Sequence, residues 1–370
     1  MRNRRRRASF PRWLTGLGGI AVVTAMALGS CAARSPRYEG PISANFDGER
    51  FHNPTPVVKS FGDFLRWRAT REPGDWEFRP NPPAASLPEE RVTGSTIRST
   101  FINHATVLIQ TAGENILTDP IWSERASPLH WAGPGRFRKP GLEFSDLPPI
   151  SVVLVSHNHF DHMDIPTLVR LAAAHDPLFV VPLGNAIYLR RAGIRNIREL
   201  DWWEHTTVGN VSVYAVPAKH WSRRGLFDTN RALWAGYLVR QPEASVFFAG
   251  DTGMSPHFAE IRARYGTPDL ALLPIGAYLP RWFMEPQHIS PAEALDAHDA
   301  LGARHTMAIH FGTFALGDDG QDEAAANLER IRSSTFDRAG TIWVPWQGES
   351  RDFAGEHRLS VGRSAEQTDP

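Results

Sequence analysis

The nine residues Ser156-His157-Asn158-His159-Phe160-Asp161-His162-Met163-Asp164 constrain this chain more than any other stretch. They follow Ile150-Ser151-Val152-Val153-Leu154-Val155, an apolar β-branched run that predicts a buried strand, and precede Ile165 to His175, whose spacing predicts a helix. A His-x-His-x-Asp-His series on a strand-to-helix turn gathers neutral imidazoles and carboxylates, the ligands of borderline divalent metals. Zinc is the usual occupant of such nitrogen and oxygen sites. His157 and His159 fall on one side of an extended segment, and Asp161 and His162 lie where the chain turns away. The pattern therefore suits two adjacent ions better than one.

Three later positions each place a metal-ligating residue at the end of an apolar run. His220 follows Val216-Pro217-Ala218-Lys219, Asp251 follows Phe247-Phe248-Ala249-Gly250, and His310 follows Met307-Ala308-Ile309. A lone histidine after a strand is ordinarily a satisfied surface or core group. Together with the first motif, these three read as the remaining ligands of a two-metal site. Gly250 and Gly253, on either side of Asp251, allow backbone to approach an ion or substrate closely.

Composition narrows the context. With 370 residues, 42% of them apolar, the chain can bury a large core. Six arginines (Arg2, Arg4, Arg5, Arg6, Arg7 and Arg12) stand in the first thirty residues, which contain no acid. Removing them from the 40 basic residues leaves 34 against 40 acidic ones, a net charge of −6 for the remainder. That acidic balance argues against a nucleic-acid partner, which needs a basic face. The arginines and the apolar Leu14 to Leu28 form a targeting segment, and Leu28-Gly29-Ser30-Cys31 resembles a bacterial lipobox. Cys31 is the sole cysteine, which excludes intramolecular disulfides and thiolate ligands and marks it as a lipidation site. The expected location is the bacterial cell envelope, with the body lipid-anchored to a membrane surface and facing the periplasm or exterior.

Residues 32 to 94 are rich in Pro, Gly, Arg and aromatics, with helical spacing only around Ser60 to Ala69. This segment reads as a tether and arm over the main domain, with Phe64, Trp67, Trp76 and Phe78 as packing anchors. From Ser95 onward, strands are predicted at Thr96 to Phe101, Ala105 to Gln110, Asn115 to Thr118, Leu178 to Val181, Val208 to Val216, Leu233 to Val239 and Ser245 to Ala249. Helices are predicted at Asn185 to Ala192, Pro256 to Tyr265, Pro291 to Leu301 and Glu323 to Arg332, with Ser255 and Ser290 as caps. The mixed order implies a layered α/β architecture.

The ordered series His157, His159, Asp161, His162, His220, Asp251 and His310 resembles the ligand set of the metallo-β-lactamase superfamily. Further blocks resemble its N-acylphosphatidylethanolamine-hydrolysing phospholipase D family: His104-Ala105-Thr106, Leu117-Thr118-Asp119-Pro120, Ala218 to Arg224, Pro274 to Met284, Gln287-His288 and Ala308 to Leu316. The resemblance implies a four-layer αβ/βα sandwich with an N-terminal arm. The chain then divides into a lipoprotein signal peptide (1–30), tether and arm (31–94), hydrolase domain (95–350) and C-terminal tail (351–370). It implies two zinc ions, with iron or manganese as substitutes: His157, His159 and His220 on the first, Asp161, His162 and His310 on the second, and Asp251 bridging.

The activity so implied is hydrolysis of N-acylphosphatidylethanolamine or a related phospholipid to phosphatidic acid and an N-acylethanolamine, with no protein nucleophile. Asp251 and His288 carry the catalytic roles, His288 at the substrate phosphate or scissile bond. Gln287, Tyr278 and Trp282 are substrate-binding candidates, the two aromatics as part of an apolar wall with Phe283 and Met284. Asp119 and Asp164 read equally as supports for ligand imidazoles or as turn and helix-start residues. Two other functions use the same residues, lactone or β-lactam hydrolysis and a metal-stabilised envelope lipoprotein with a binding role. The expected partners are a phospholipid and the membrane surface, and a homodimer is left open.

Overall fold

A computed structural model describes residues 36–57, 59–81, 86–334 and 341–355. The expected signal peptide, Cys31 and positions 356–370 lie outside these residues. In chain order the elements are α1 (Phe61–Thr70), β1 (Thr96–Asn103), β2 (Thr106–Thr111), β3 (Glu114–Thr118), β4 (Val152–Leu154), α2 (Ile165–His175), β5 (Leu178–Pro182), α3 (Ala186–Arg191) and β6 (Ile197–Leu200). There follow β7 (His205–Val208), β8 (Val211–Val216), β9 (Gly236–Arg240), β10 (Ser245–Phe248), α4 (His257–Tyr265), β11 (Leu270–Pro274), α5 (Arg281–Met284), α6 (Pro291–Leu301), β12 (His305–Ile309), α7 (Glu323–Ser334), β13 (Ile342–Trp343) and β14 (Ser350–Ala354).

Two seven-stranded sheets result, in the orders β14-β1-β2-β3-β4-β5-β6 and β13-β12-β11-β10-β9-β8-β7. Strands β3 to β6 run parallel, as do β10 to β13. The two-residue period of a strand assigns the layers. Val152 and Leu154 join the core between the sheets with Phe101, Val213, Tyr237 and Phe247. Val153 and Val155 instead meet Leu168 and Leu171 of α2 and Leu189 of α3. On the other sheet α6 packs against β11, α4 and α7. The expected αβ/βα sandwich is therefore the architecture. Among the described residues no helix is long and apolar enough to cross a membrane.

Local chemistry explains where the elements start and stop. Ser290 caps α6 in a reciprocal box with Glu293, as predicted (Ser290 N to Glu293 Oε2, 2.7 Å). Ser255 does not cap α4, because its hydroxyl engages the His257 ring and the helix begins at His257. The expected strand at Val208 to Val216 is two strands, parted at Gly209 (φ +50°). Strand β9 begins only at Gly236, because Trp234 leaves the ladder to donate its indole N–H to Ala218 O at 2.9 Å. The expected tail boundary at 351 is also revised, since β14 pairs antiparallel with β1, Phe353 opposite Ile97. In the arm, Trp67 stacks on Phe283 at 5.0 Å and Trp76 donates to Asp319 O at 2.9 Å. Phe64 and Phe78 are exposed instead of anchored.

Candidate metal centre

The strand ends of both sheets meet along one edge, and the ligand-type residues collect there. Past β4 the chain turns through His159, whose carbonyl accepts from His162 N (3.2 Å) and Met163 N (2.8 Å), so that His157, His159, Asp161 and His162 converge. Past β8, His220 is held at its backbone by Asn53 of the arm, which donates to His220 O at 2.7 Å and accepts from His220 N at 3.2 Å. Past β10 stands Asp251. The glycines beside it serve this packing: a Cβ on Gly250 would lie 2.7 Å from Ser156 Cβ, and one on Gly253 would lie 2.6 Å from Pro286 O. Past β12 stands His310, at φ +60°, an uncommon conformation for a non-glycine residue.

Two adjoining clusters result. In the first, His159 Nδ1 lies 2.8 Å from His157 Nε2 and 3.3 Å from His220 Nε2. In the second, His162 Nε2 lies 3.1 Å from Asp161 Oδ2 and 3.2 Å from Asp251 Oδ2, while His310 Nε2 lies 3.1 Å from Asp251 Oδ1. Asp251 also faces the first cluster, its Oδ2 being 3.8 Å from His220 Nε2. His162 Nε2, His310 Nε2 and Asp251 Oδ1 are buried and lack hydrogen-bond partners among the described residues. Buried polar atoms are rarely left so. Nitrogen and oxygen donors aimed at common points fit divalent metals: His157, His159 and His220 form one group that could hold an ion, and Asp161, His162 and His310, with His104 beside them, form another.

Residues 114–311 match the family described as the beta-lactamase superfamily domain. The N-acyl-phosphatidylethanolamine-hydrolyzing phospholipase D 1 of Caenorhabditis elegans is 37% identical over 63% of this chain and 70% of its own length. The chain belongs to the metallo-β-lactamase superfamily, in its N-acylphosphatidylethanolamine-hydrolysing phospholipase D-like family. The mitochondrial enzyme of that name from Saccharomyces cerevisiae is 39% identical over 59% of this chain and 48% of its own length. A metallo hydrolase from the archaeon Ignicoccus hospitalis shares the fold, with TM-score 0.53 and 20% identity over 70% of this chain and all of the other. The protein is accordingly a metal-dependent hydrolase.

One carboxylate supports both clusters of this metallo-β-lactamase-fold hydrolase. Asp119 accepts from His162 Nδ1 at 2.6 Å and from Ser156 Oγ at 2.6 Å, and Ser156 Oγ in turn faces His157 Nδ1 at 2.9 Å. Each of these imidazoles is thereby left with Nε2 toward the site. Asp164 has no such part, since it bonds Ser123 and Thr167 at the start of α2. Replacing Asp119 by Asn is expected to weaken metal binding about 10- to 100-fold, as losses of such supports do. Competition against a chromogenic chelator measures this, and unchanged affinity would count against the assignment.

His104, at the β1–β2 turn, was absent from the expected ligands. It lies 3.1 Å from Asp161 Oδ2, and its ring centroid is 4.1 Å from that of His310. Burial, reinforced by His310 and opposed by Asp161, pushes its pKa down to about 3, so it meets the Asp161 carboxylate as a neutral N–H donor.

Charge differs between the clusters. Burial and neighbouring imidazoles hold His157 well below the ordinary imidazole range; burial does the same for His220 against the opposing pull of Asp251, and lowers His159 to about 4. For His162 and His310, burial is outweighed by Asp251 and Asp161, which raise His162 well above that range and His310 to about 9. Ligation requires neutral imidazole. Near pH 7, below the raised values, metal uptake must therefore expel protons from the second cluster, and affinity should rise as pH increases toward about 9. Calorimetric titration in buffers of different ionisation enthalpy reads the release directly. A heat independent of buffer would contradict it.

A cavity of about 630 Å³ opens over the centre. His159, Asp161, Asp251, His288 and His310 lie at the metal side, and Phe61, Phe64, Trp67, Phe283 and Met284 supply apolar wall. The arm therefore builds part of the site. Gln287 lines the cavity and accepts from His220 Nδ1 through its carbonyl at 3.1 Å. His288 Nδ1 is 3.8 Å from Asp251 Oδ2. Tyr278 and Trp282 do not line it. The Tyr278 ring joins the main core and its hydroxyl bonds Glu323 and Asn327, while Trp282 is exposed and stacked under Arg66 at 4.7 Å.

Proposed function

We propose that this hydrolase is a dinuclear zinc phosphodiesterase of phospholipase D type, acting on N-acylphosphatidylethanolamine or a related phospholipid. The observation that carries the reading is the joining of two ligand clusters through Asp251 at the base of an apolar-walled cavity. The names of the relatives from Caenorhabditis elegans and Saccharomyces cerevisiae support it. Bound there, a metal pair supplies an activated water and neutralises charge on phosphoryl oxygens. The chain's residues do the rest. Asp251 is the shared carboxylate, His288 reaches the phosphate from the cavity side, and the aromatic wall holds acyl chains away from water. Phe61, 73% exposed on α1, lines the cavity where a bilayer substrate would enter. A lipid anchor on Cys31 would keep that cavity at the membrane surface of the bacterial envelope.

The test is a comparison of zinc-loaded and chelated protein on N-acylphosphatidylethanolamine vesicles, a lactone and a β-lactam. Phosphatidic acid released only by the loaded protein supports the reading, and turnover of the lactone or β-lactam alone overturns it.

A further inference from the structure

Lys59, just ahead of α1, carries a cation into the cavity. Its Nζ is buried without a hydrogen-bond partner among the described residues and lies 4.0 Å from the Phe283 ring centroid. Asp63, whose field reaches it, is committed to the α1 cap, accepting from Ser60 N at 2.8 Å and Ser60 Oγ at 2.7 Å. Burial lowers Lys59 to about 7 against the pull of Asp63. A ring face offsets only part of the cost of desolvating an ammonium. The only carboxylates lining the cavity, among the described residues, are Asp161 and Asp251 of the metal clusters. Arg223, the other lysine or arginine lining it among the described residues, is exposed and donates to Gly225 O. The unpaired ammonium between an aromatic wall and a metal centre is therefore arranged for an anion that arrives with an amphiphile.

We propose that Lys59 is a specificity-determining residue whose ammonium pairs with the anionic phosphodiester of the bound substrate, an inference that rests on the phosphodiesterase reading. The alkyl chain then lies along Trp67, Phe283 and Met284, and the arm, outside the sandwich, selects the substrate's charge. Methionine at this position would keep the length of the side chain and remove the buried charge. Were Lys59 only structural, that change would be neutral or stabilising.

Zinc-loaded full-length protein is compared with Lys59→Met and Lys59→Arg, titrating dodecyl methyl phosphate and uncharged dodecyl maltoside calorimetrically. Lys59→Met should bind the phosphate ester about tenfold more weakly, the loss expected for one charged hydrogen bond. It should bind the maltoside as wild type does, with a thermal midpoint no lower, and Lys59→Arg should recover phosphate binding. KM for N-acylphosphatidylethanolamine should rise by the same factor with kcat nearly unchanged. Equal losses for both amphiphiles, or none for the phosphate ester, overturn the proposal. Wild-type protein that binds the phosphate ester through Lys59 but hydrolyses no phosphodiester sinks the phosphodiesterase reading and leaves the pairing standing.

Discussion

Substituting Asp251 by Asn is expected to lower kcat/KM at least about a thousandfold, beyond the 10- to 100-fold typical of losing an outer support. Its two oxygens divide between His162 at 3.2 Å and His310 at 3.1 Å, with His220 at 3.8 Å, so one carboxylate spans both clusters. An amide presents a single oxygen and no charge. Burial alone would raise the Asp251 carboxyl, but His162 and His310 hold it well below the usual carboxylate range, so it is a permanent anion at neutral pH. Losing it also leaves buried imidazolium uncompensated in the metal-free protein, a change that ordinarily costs about 3–5 kcal/mol. The comparison therefore belongs in zinc-loaded protein, with circular dichroism to verify the fold. Full activity of a folded, metal-replete Asp251→Asn protein would remove the basis for a shared carboxylate.

The second large effect is expected at His288. His288→Ala should lower kcat about 100-fold, at the low end for a lost proton-transfer or charge-stabilising group, while zinc content stays the same. Burial, then His310 and Lys59, push His288 down to about 3 against the pull of Asp251. It is therefore a neutral imidazole at rest, lining the cavity and able to donate a hydrogen bond there. Its Nδ1 lies 3.8 Å from Asp251 Oδ2, the same distance as His220 Nε2, so zinc content decides whether it acts on the substrate or joins His220 and Asp251 as a donor. Loss of zinc from His288→Ala would make it a ligand instead, and unchanged kcat would make it a wall residue.

What the sequence disclosed follows from how local each feature is. The turn from His157 to His162 is bounded by a strand and a helix that its own residues specify, and His220, Asp251 and His310 each end a strand whose apolar run is visible. His104 has no such signal, because its relation to Asp161 exists only once β1 and β4 stand in one sheet. The arm's part in the cavity depends on Trp67 meeting Phe283 and Asp318, contacts across more than two hundred residues. Tyr278 was misplaced for a finer reason. Ala277 sits at φ +55° and turns the chain, so that Ala277 lines the cavity while the next side chain enters the core. Strand β14 escaped notice because Ser350 to Ala354 is mostly polar and exposed, with Phe353 its one apolar anchor; the Arg98–Asp352 ion pair and the Thr100–Ser350 hydroxyl contact that hold it form only once it pairs with β1.

The account's central claim is a two-ion centre joined by Asp251, and native mass spectrometry of the zinc-loaded protein tests it most directly. Two zinc ions per chain in the wild type, with fewer in Asp251→Asn, is the result this account predicts. A single ion in the wild type, with Asp251→Asn unchanged, would contradict it.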